Sequence, residues 1–315
     1  MYLSESTITG RRQENQDSIY IKQANNAFVM AVADGMGGHL GGKIASKTVV
    51  SVIKKLFKQF SQSPSYNKIK PFIETIITES QKEIKNISQS DQKLKGLGTT
   101  LTIVLGYYSR YAIGNIGDSR TYLINKEDVT LMTQDHTFLT QYKKQNPDKS
   151  INRAMAEKFG KLLTKCIDGK GDMGDIIPEN DLYRLRPAEV LLSCSDGMIV
   201  ENGLMPSDYI KRIIEQSKNI EKAKDYLIKY AYNRGSKDNI SVAIASKNYK
   251  PRYKSLMEQY RPVISFVLST VISLIIFIYF LVHLLVNILP DNRNDNNSED
   301  FTAHDKNKTQ YELFI

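Results

Sequence analysis

The 27 residues from Val263 to Leu289, VISFVLSTVISLIIFIYFLVHLLVNIL, contain no Asp, Glu, Lys or Arg. About 20 apolar residues suffice to cross the hydrocarbon core of a bilayer as a helix, and a helix apolar all round has no face to offer water. The run therefore predicts a transmembrane helix at 263–289, and everything globular must come from the residues ahead of it. The segment just before it carries Lys247, Lys250, Arg252, Lys254 and Arg261 against a single Glu258. The segment after it begins Pro290-Asp291 and holds Asp295, Glu299 and Asp300 with Arg293 nearby. Cationic flanks stay on the cytoplasmic side, so the large N-terminal part is expected in the cytoplasm and the acidic tail, 290–315, on the far side. The basic linker, 248–262, would also be drawn to anionic headgroups. His283 lies inside the span; it reads either as a proton site or as a helix–helix or interfacial contact, with the second favoured.

Charge narrows the partners of the rest. The chain is +9, with 43 Lys and Arg against 34 Asp and Glu. Its basic residues recur along the first 262 positions without an arginine-rich block or an interleaved aromatic-basic motif, so a membrane surface is expected and nucleic acid is not. Two cysteines, Cys166 and Cys194, and four histidines supply neither a disulfide framework nor a zinc cluster, which fits a reducing compartment. Met1-Tyr2-Leu3-Ser4-Glu5 opens without a basic region and apolar core, so no secretory leader is expected.

Residues 1–247 alternate between two periodicities. Strand-like runs fall at 18–23, 27–33, 100–107, 111–116, 120–125, 190–194 and 240–245. Val49, Val52, Ile53, Leu56, Phe57 and Phe60 share one helical face; Ile69, Phe72, Ile73, Ile76 and Ile77 share another. A later helix pair is predicted at 206–217 and 220–233. Hairpin-like neighbours, 111–116 and 120–125, argue for antiparallel sheets covered by helices and against a βαβ alternation.

Aspartates stand directly after apolar strands or in a turn beside one: Asp34-Gly35, Asp118, Asp196-Gly197, and Asp238 just before Ile240-Ser241-Val242. One such residue is ordinarily a turn former or helix cap. Several gathered at one end of a sheet pair repel one another, and burial is costly unless a cation neutralises them. Oxygen donors without a His or Cys cluster point to a hard ion, Mg²⁺ or Mn²⁺. Gly35 is expected to let the backbone turn tightly and bring a carbonyl within reach of that ion.

Seven motifs in order complete the pattern: Arg12-Gln13-Glu14-Asn15-Gln16-Asp17-Ser18, Asp34-Gly35-Met36-Gly37-Gly38-His39, Gly98-Thr99-Thr100-Leu101, Gly114-Asn115-Ile116-Gly117-Asp118-Ser119-Arg120, Leu131-Met132-Thr133-Gln134-Asp135-His136, Ser195-Asp196-Gly197, and Gly235-Ser236-Lys237-Asp238-Asn239-Ile240. From about residue 4 to 247 the chain resembles the PPM family of type 2C metal-dependent Ser/Thr protein phosphatases, in its bacterial-style form. The resemblance implies an α+β fold, a four-layer α/β/β/α sandwich of two antiparallel sheets, with a binuclear Mn²⁺ or Mg²⁺ site at one end. By motif, Asp34 would bridge both ions, the Gly35 carbonyl would bind one, and Asp196 and Asp238 would complete the other. Asp17 would orient metal-bound water, and Arg12 would hold the substrate phosphate. Asp118 matches a position that supports a third, weaker ion in related bacterial enzymes; as a turn aspartate paired with Arg120 it has a second reading of nearly equal weight.

The chain departs from the family twice. Met36 stands where eukaryotic members carry a His proposed as general acid, and His39, three residues on, is expected to do a structural job instead. Gln16 stands where many members carry a metal-ligating Glu. The implied chemistry is in-line attack on phosphoserine or phosphothreonine in proteins by water bridged between the two ions, without a phosphoenzyme. A Ser/Thr kinase acting on the same substrates is the implied partner. The lysine-rich stretch between His136 and Leu163 corresponds to a mobile flap in the family, or is an ordinary surface helix and loop.

Two rival chemistries fail on spacing. A cysteine phosphatase needs Arg six positions after Cys, where this chain has Asp172 and Val200. Gly169–Gly174 fits a nucleotide-binding glycine pattern, but Asp175-Ile176-Ile177-Pro178 follows in place of a helix. A third rival is a non-catalytic, membrane-tethered binding module of the same fold. It leaves the charge cluster of Asp17, Asp34, Asp196, Asp238 and Arg12 without a purpose.

Overall fold

The computed structural model describes residues 1–160, 162–199, 207–249 and 256–288. The expected far-side tail, much of the basic linker and the His39 side chain lie outside the described residues. The chain divides into two units, Met1–Tyr253 and Lys254–Ile315.

The first unit runs β1 (Tyr2–Ile8), β2 (Asp17–Ala24), β3 (Ala27–Met36), α1 (His39–Gln62), α2 (Ile69–Ser90), β4 (Gly98–Thr99), β5 (Leu101–Tyr107) and β6 (Arg110–Ile116). It continues β7 (Arg120–Ile124), β8 (Val129–Leu131), α3 (Phe138–Gln145), α4 (Arg153–Phe159), β9 (Asp175–Ile177), β10 (Tyr183–Arg184), β11 (Val190–Cys194), α5 (Ser207–Gln216), α6 (Ile220–Asn233) and β12 (Ile240–Ser246). The strands form a five-stranded sheet, β1-β12-β11-β7-β8, and a seven-stranded sheet, β10-β6-β5-β3-β2 with β4 on β3 and β9 on β6. Every pairing is antiparallel.

Period-two alternation along β3 sets the layers. Ala27, Val29 and Ala31 face α1 and α2, packing with Val49, Ile53, Phe57, Ile73 and Ile77. Phe28, Met30 and Val32 face the other way, into a core shared with Val104, Leu191 and Ala243 of both sheets. On the outer face of the five-stranded sheet, Leu192, Val242 and Ile244 meet Ile210 of α5 and Leu227 of α6. β3 is thus buried on both faces, and each large apolar side chain there contributes roughly 1.5–3 kcal/mol by burial. The result is the expected α/β/β/α sandwich.

One expectation fails within it. The runs at 111–116 and 120–125 are not a hairpin. β6 pairs with β5, Tyr107 opposite Arg110, whereas β7 belongs to the other sheet and pairs with β11 and β8. Between them the chain crosses from sheet to sheet at Gly117-Asp118-Ser119, with Gly117 at φ 104, a left-handed conformation that a side chain would resist. Short spacing suggested a turn; the apolar faces of the two runs are satisfied by different sheets.

The late helices fall close to their predicted positions, and Asn219 caps α6 by accepting from the Lys222 amide at 2.9 Å. In the second unit, α7 (Leu256–Ile288) includes 23 residues, Val263–Leu285, that are long and apolar enough to cross a membrane. At ~1.5 Å per residue that stretch is about 35 Å long. The His283 ring lies 6.4 Å from that of Tyr279, one turn earlier in the same helix.

Candidate active site

The strand ends decide what meets what. β3 leaves its apolar run at Asp34, and β2 begins at Asp17, directly opposite Asp34 in the register. β11 ends at Cys194, two residues before Asp196; β12 starts at Ile240, two after Asp238; the sheet-to-sheet crossing supplies Asp118. Antiparallel pairing brings these points to one end of the sandwich. There Arg12, Asp34, Gly35, Asp118, Asp196 and Asp238 line a single cleft of about 770 Å³.

Asp17 sits behind that cleft, 7% exposed. Its Oδ2 accepts from the hydroxyls of Ser195 at 2.8 Å and Ser241 at 2.6 Å. Its Oδ1 is buried with no hydrogen-bond partner. Burial pushes its carboxyl up from 3.8 to about 6, the two serine hydroxyls pull it back down, and the charges of Asp196 and Asp238 push it further up. Asp34 is raised well above the usual carboxylate range, first by burial and then by the charges of Asp17, Asp196, Asp118 and Asp238.

Positive charge at the cleft comes from Arg11, which lies over the Tyr232 ring, and from Arg12, whose Nη2 donates to Asp238 Oδ2 at 2.7 Å and whose Nε donates to the Lys237 carbonyl at 3.1 Å. The carboxylates do not close into a cage: among the described residues no three His, Cys, Asp or Glu side chains form a ready metal-binding group. The donor set nevertheless fits hard divalent cations. It consists of oxygens and carries an excess of negative charge at a buried place, with the orphaned Oδ1 of Asp17 just behind it.

The backbone of Asp34 is fixed independently of its charge. Its amide donates to Thr100 Oγ1 at 3.0 Å, and its carbonyl accepts from the Thr100 amide and the Thr99 hydroxyl, each at 2.8 Å. This is the work of the Gly98-Thr99-Thr100 motif. Gly35 does not make the expected tight turn. It remains in β3, and the left-handed residues are Gly37 and Gly38, at φ 108 and 84. What requires glycine at 35 is the close approach of α1: a Cβ there would collide with the Gly42 carbonyl oxygen.

A family model described as Protein phosphatase 2C matches residues 9–229, which is most of the chain and all of the motifs from Arg12 to Asp196. The chain belongs to the protein phosphatase 2C family. It is a Ser/Thr protein phosphatase, of a family that depends on metal. It is 28% identical over 250 residues to a serine/threonine phosphatase, stp, of Listeria monocytogenes, an alignment covering 79% of this chain and 96% of that one. It is also 28% identical over 251 residues to the protein phosphatase PhpP of Streptococcus pneumoniae, covering 79% and 98%. Among solved structures, the catalytic domain of the protein phosphatase PstP in complex with two manganese ions superposes with a TM-score of 0.66 at 25% identity, covering 78% of this chain and 97% of that one.

Against the 2C family pattern, both departures acquire a physical description. Gln16 Nε2 donates to the Gly38 carbonyl at 3.1 Å, a bond that a Glu carboxylate has no proton to make. Met36 lines the cleft beside Gly98 as an apolar wall. The lysine-rich segment after His136 forms α3 and α4 and returns by pairing Thr137 with Leu163, so that Leu162, Leu163 and Cys166 wall the cleft on that side.

Several residues of this phosphatase site hold partners that the motifs do not indicate. Asn239 clamps the loop that bears Arg12: its Nδ2 donates to the Thr9 and Glu14 carbonyls at 2.8 and 2.9 Å, and its Oδ1 accepts from the Gln16 amide at 2.9 Å. Ser195 and Ser241 hold Asp17. His136 accepts the Gly117 amide on Nδ1 at 3.1 Å and therefore carries its proton on Nε2, 3.0 Å from Asp175 Oδ2; it steadies the turn that presents Asp118. Arg120 donates two parallel bonds to Asp135 along one edge of its guanidinium, from Nε at 2.9 Å and Nη2 at 2.6 Å. Their motifs could have flagged them, but their partners lie too far along the chain for spacing to reveal.

Proposed function

We propose that this 2C phosphatase hydrolyses phosphoserine and phosphothreonine in proteins at the cytoplasmic face of a membrane, by in-line attack of water and without a phosphoenzyme. The observation that carries the reading is the convergence of Arg12 with Asp34, Asp118, Asp196 and Asp238 on one cleft, with Asp17 immediately behind. Asp34, the Gly35 carbonyl, Asp196 and Asp238 would hold two divalent ions, Mn²⁺ or Mg²⁺, and Asp118 would contribute to a third. When bound, such ions acidify a water held between them and neutralise charge on the phosphoryl oxygens. The PstP catalytic domain with two manganese ions, similar over 78% of this chain, supports the use of divalent metal.

The chain's own groups do the rest. Arg12 has five N–H donors, of which Nε and Nη2 are engaged by Lys237 and Asp238, and its side chain is 55% exposed at the cleft mouth. Its remaining donors suit the planar, bidentate capture of a phosphoryl group. Asp17, anchored by Ser195 and Ser241, keeps one oxygen, Oδ1, to orient the attacking water. A protein nucleophile is disfavoured: Cys166, the thiol on the cleft wall, is pushed up to about 12 by burial and by the charge of Asp168.

In this reading residues 1–247 are the catalytic domain, 248–262 the basic linker, 263–289 a single membrane span and 290–315 a tail on the far side. A Ser/Thr kinase with the same substrates is the functional counterpart. The test is phosphate release from a phosphothreonine peptide by the detergent-solubilised full chain, in Mn²⁺, in Mg²⁺ and in EDTA, with Asp34→Asn and Asp196→Asn as controls. Metal-dependent turnover lost in both variants is expected. A folded, metal-loaded protein without turnover would mean a binding module.

A further inference from the structure

Strand register also defines the end of the sandwich remote from the cleft. In the seven-stranded sheet that end holds Ala24, Ala27, Tyr107, Arg110 and Arg184; in the five-stranded sheet it holds Tyr2, Ser246, Val190 and Ile124. Exposed aromatic surface collects here: Tyr2 is 55%, Tyr66 47% and Tyr108 52% exposed. The rings of Tyr66 and Tyr108 lie 5.2 and 4.6 Å from that of Tyr107. Tyr108 begins the two-residue loop between β5 and β6 at φ 51, a left-handed position where glycine or asparagine would sit without strain.

Beside that loop stand two arginines. Arg110 and Arg184 are directly opposite one another across β6 and β10, both exposed, and among the described residues neither has an ion-pair partner. Like charges in that relation repel. Lys247, also exposed, follows β12 at the same end. Of the acids there, Glu189 Oε2 accepts from the Arg186 amide and Asp128 Oδ1 from the Val129 amide, while Glu127, in the loop after β7, is exposed.

The described part of the first unit also ends here. Tyr249, three residues past β12, is tied by its hydroxyl to the Ser217 carbonyl at 3.0 Å. From Tyr249 to the start of α7 at Leu256 the chain can reach at most about 25 Å, and α7 needs about 10 Å more to arrive at Val263. The sequence in that short tether adds Lys250, Arg252 and Lys254.

We propose that this end of the catalytic domain docks on anionic phospholipid headgroups, with its tyrosines at headgroup level and Arg110 and Arg184 on lipid phosphates, so that the cleft opens away from the bilayer. The inference rests on the membrane-anchor reading above. Amphipathic aromatic rings favour the interface, and guanidinium groups favour phosphate. A tether of this length keeps the exit end within reach of the surface while leaving the remote cleft free for soluble phosphoproteins.

The test uses the full chain in nanodiscs of phosphatidylcholine alone, or with phosphatidylglycerol, followed by hydrogen–deuterium exchange. Exchange across Tyr107–Arg110 and Tyr183–Arg184 should slow about tenfold in the anionic discs. The slowing should vanish in 0.5 M NaCl and in an Arg110→Glu, Arg184→Glu variant, while Gly35–Gly38 stays unchanged throughout. Equal exchange in both lipids overturns the docking proposal and leaves the anchor intact. Protection that ignores lipid charge and salt also overturns it, in favour of a protein occupant such as a second copy of the chain. A chain that does not enter discs overturns the anchor reading and the docking with it.

Discussion

Replacing Asp17 by Asn should make the metal-free protein more stable while impairing the enzyme. Folding raises the Asp17 carboxyl from 3.8 to about 6, a penalty on its charged form caused first by burial. The side chain is 7% exposed, so solvent screening gives little relief. A shift of about 2 units is worth roughly 3 kcal/mol at pH 7.5, where the group is ionised in both states. Asn keeps an acceptor for Ser195 and Ser241 but a weaker one, which costs about 1 kcal/mol. A net gain of about 2 kcal/mol should raise the melting temperature of the catalytic unit by about 5 °C. Because the folded pKa is the higher one, stability from this group is complete below about pH 4 and is lost as pH climbs through 6. Wild-type protein in EDTA should therefore melt at a lower temperature at pH 7.5 than at pH 5.5, and Asp17→Asn should flatten that slope. Calorimetry of both proteins in EDTA, from pH 5 to 8, reads the effect directly. A variant that melts below wild type at pH 7.5, with an unchanged slope, would refute the claim that this carboxylate is held under strain.

Other substitutions separate binding from architecture. Arg12→Ala should lower kcat/KM for a phosphothreonine peptide by about 100-fold, with Arg12→Lys intermediate because it keeps charge without the planar fork; steady-state kinetics with both variants retaining wild-type kinetics would remove Arg12 from phosphate binding. Arg120→Met should destabilise by about 3–5 kcal/mol by stranding Asp135, and the double variant with Asp135→Leu should recover most of that loss; an additive double variant, measured by denaturant melts, would contradict a closed pair. Gly35→Ala should unseat α1 from β3 through the clash with Gly42, giving a loss of about 2 kcal/mol or more in stability and a collapse of turnover; an unperturbed melting curve would show that the contact is loose.

Much of the fold could be read from the linear sequence because the responsible physics is local. The apolar stretch of α7 follows from an uncharged length sufficient for a bilayer, β3 from a continuous apolar run, and α1 and α2 from a 3.6-residue apolar period. The seven motifs, in order, indicated which acids to watch. The crossing at Gly117 was misread as a hairpin for the same reason: short spacing is a local signal, and the choice of sheet is a property of the whole core.

The site shows the division most clearly. The sequence determined that Asp34, Asp118, Asp196 and Asp238 stand at strand ends, and that Arg12 and Asp17 share a loop motif. Tertiary structure alone decided that Arg12 reaches Asp238, 226 positions away, and that Asp17 is gripped by Ser195 and Ser241, 178 and 224 positions away. It decided, too, that Gly35 is needed for the approach of a helix and not for a turn. Such partners are chosen by strand register and by two cores closing on either side of β3. Those long-range contacts depend on all the strands together, so no local window of sequence contains them.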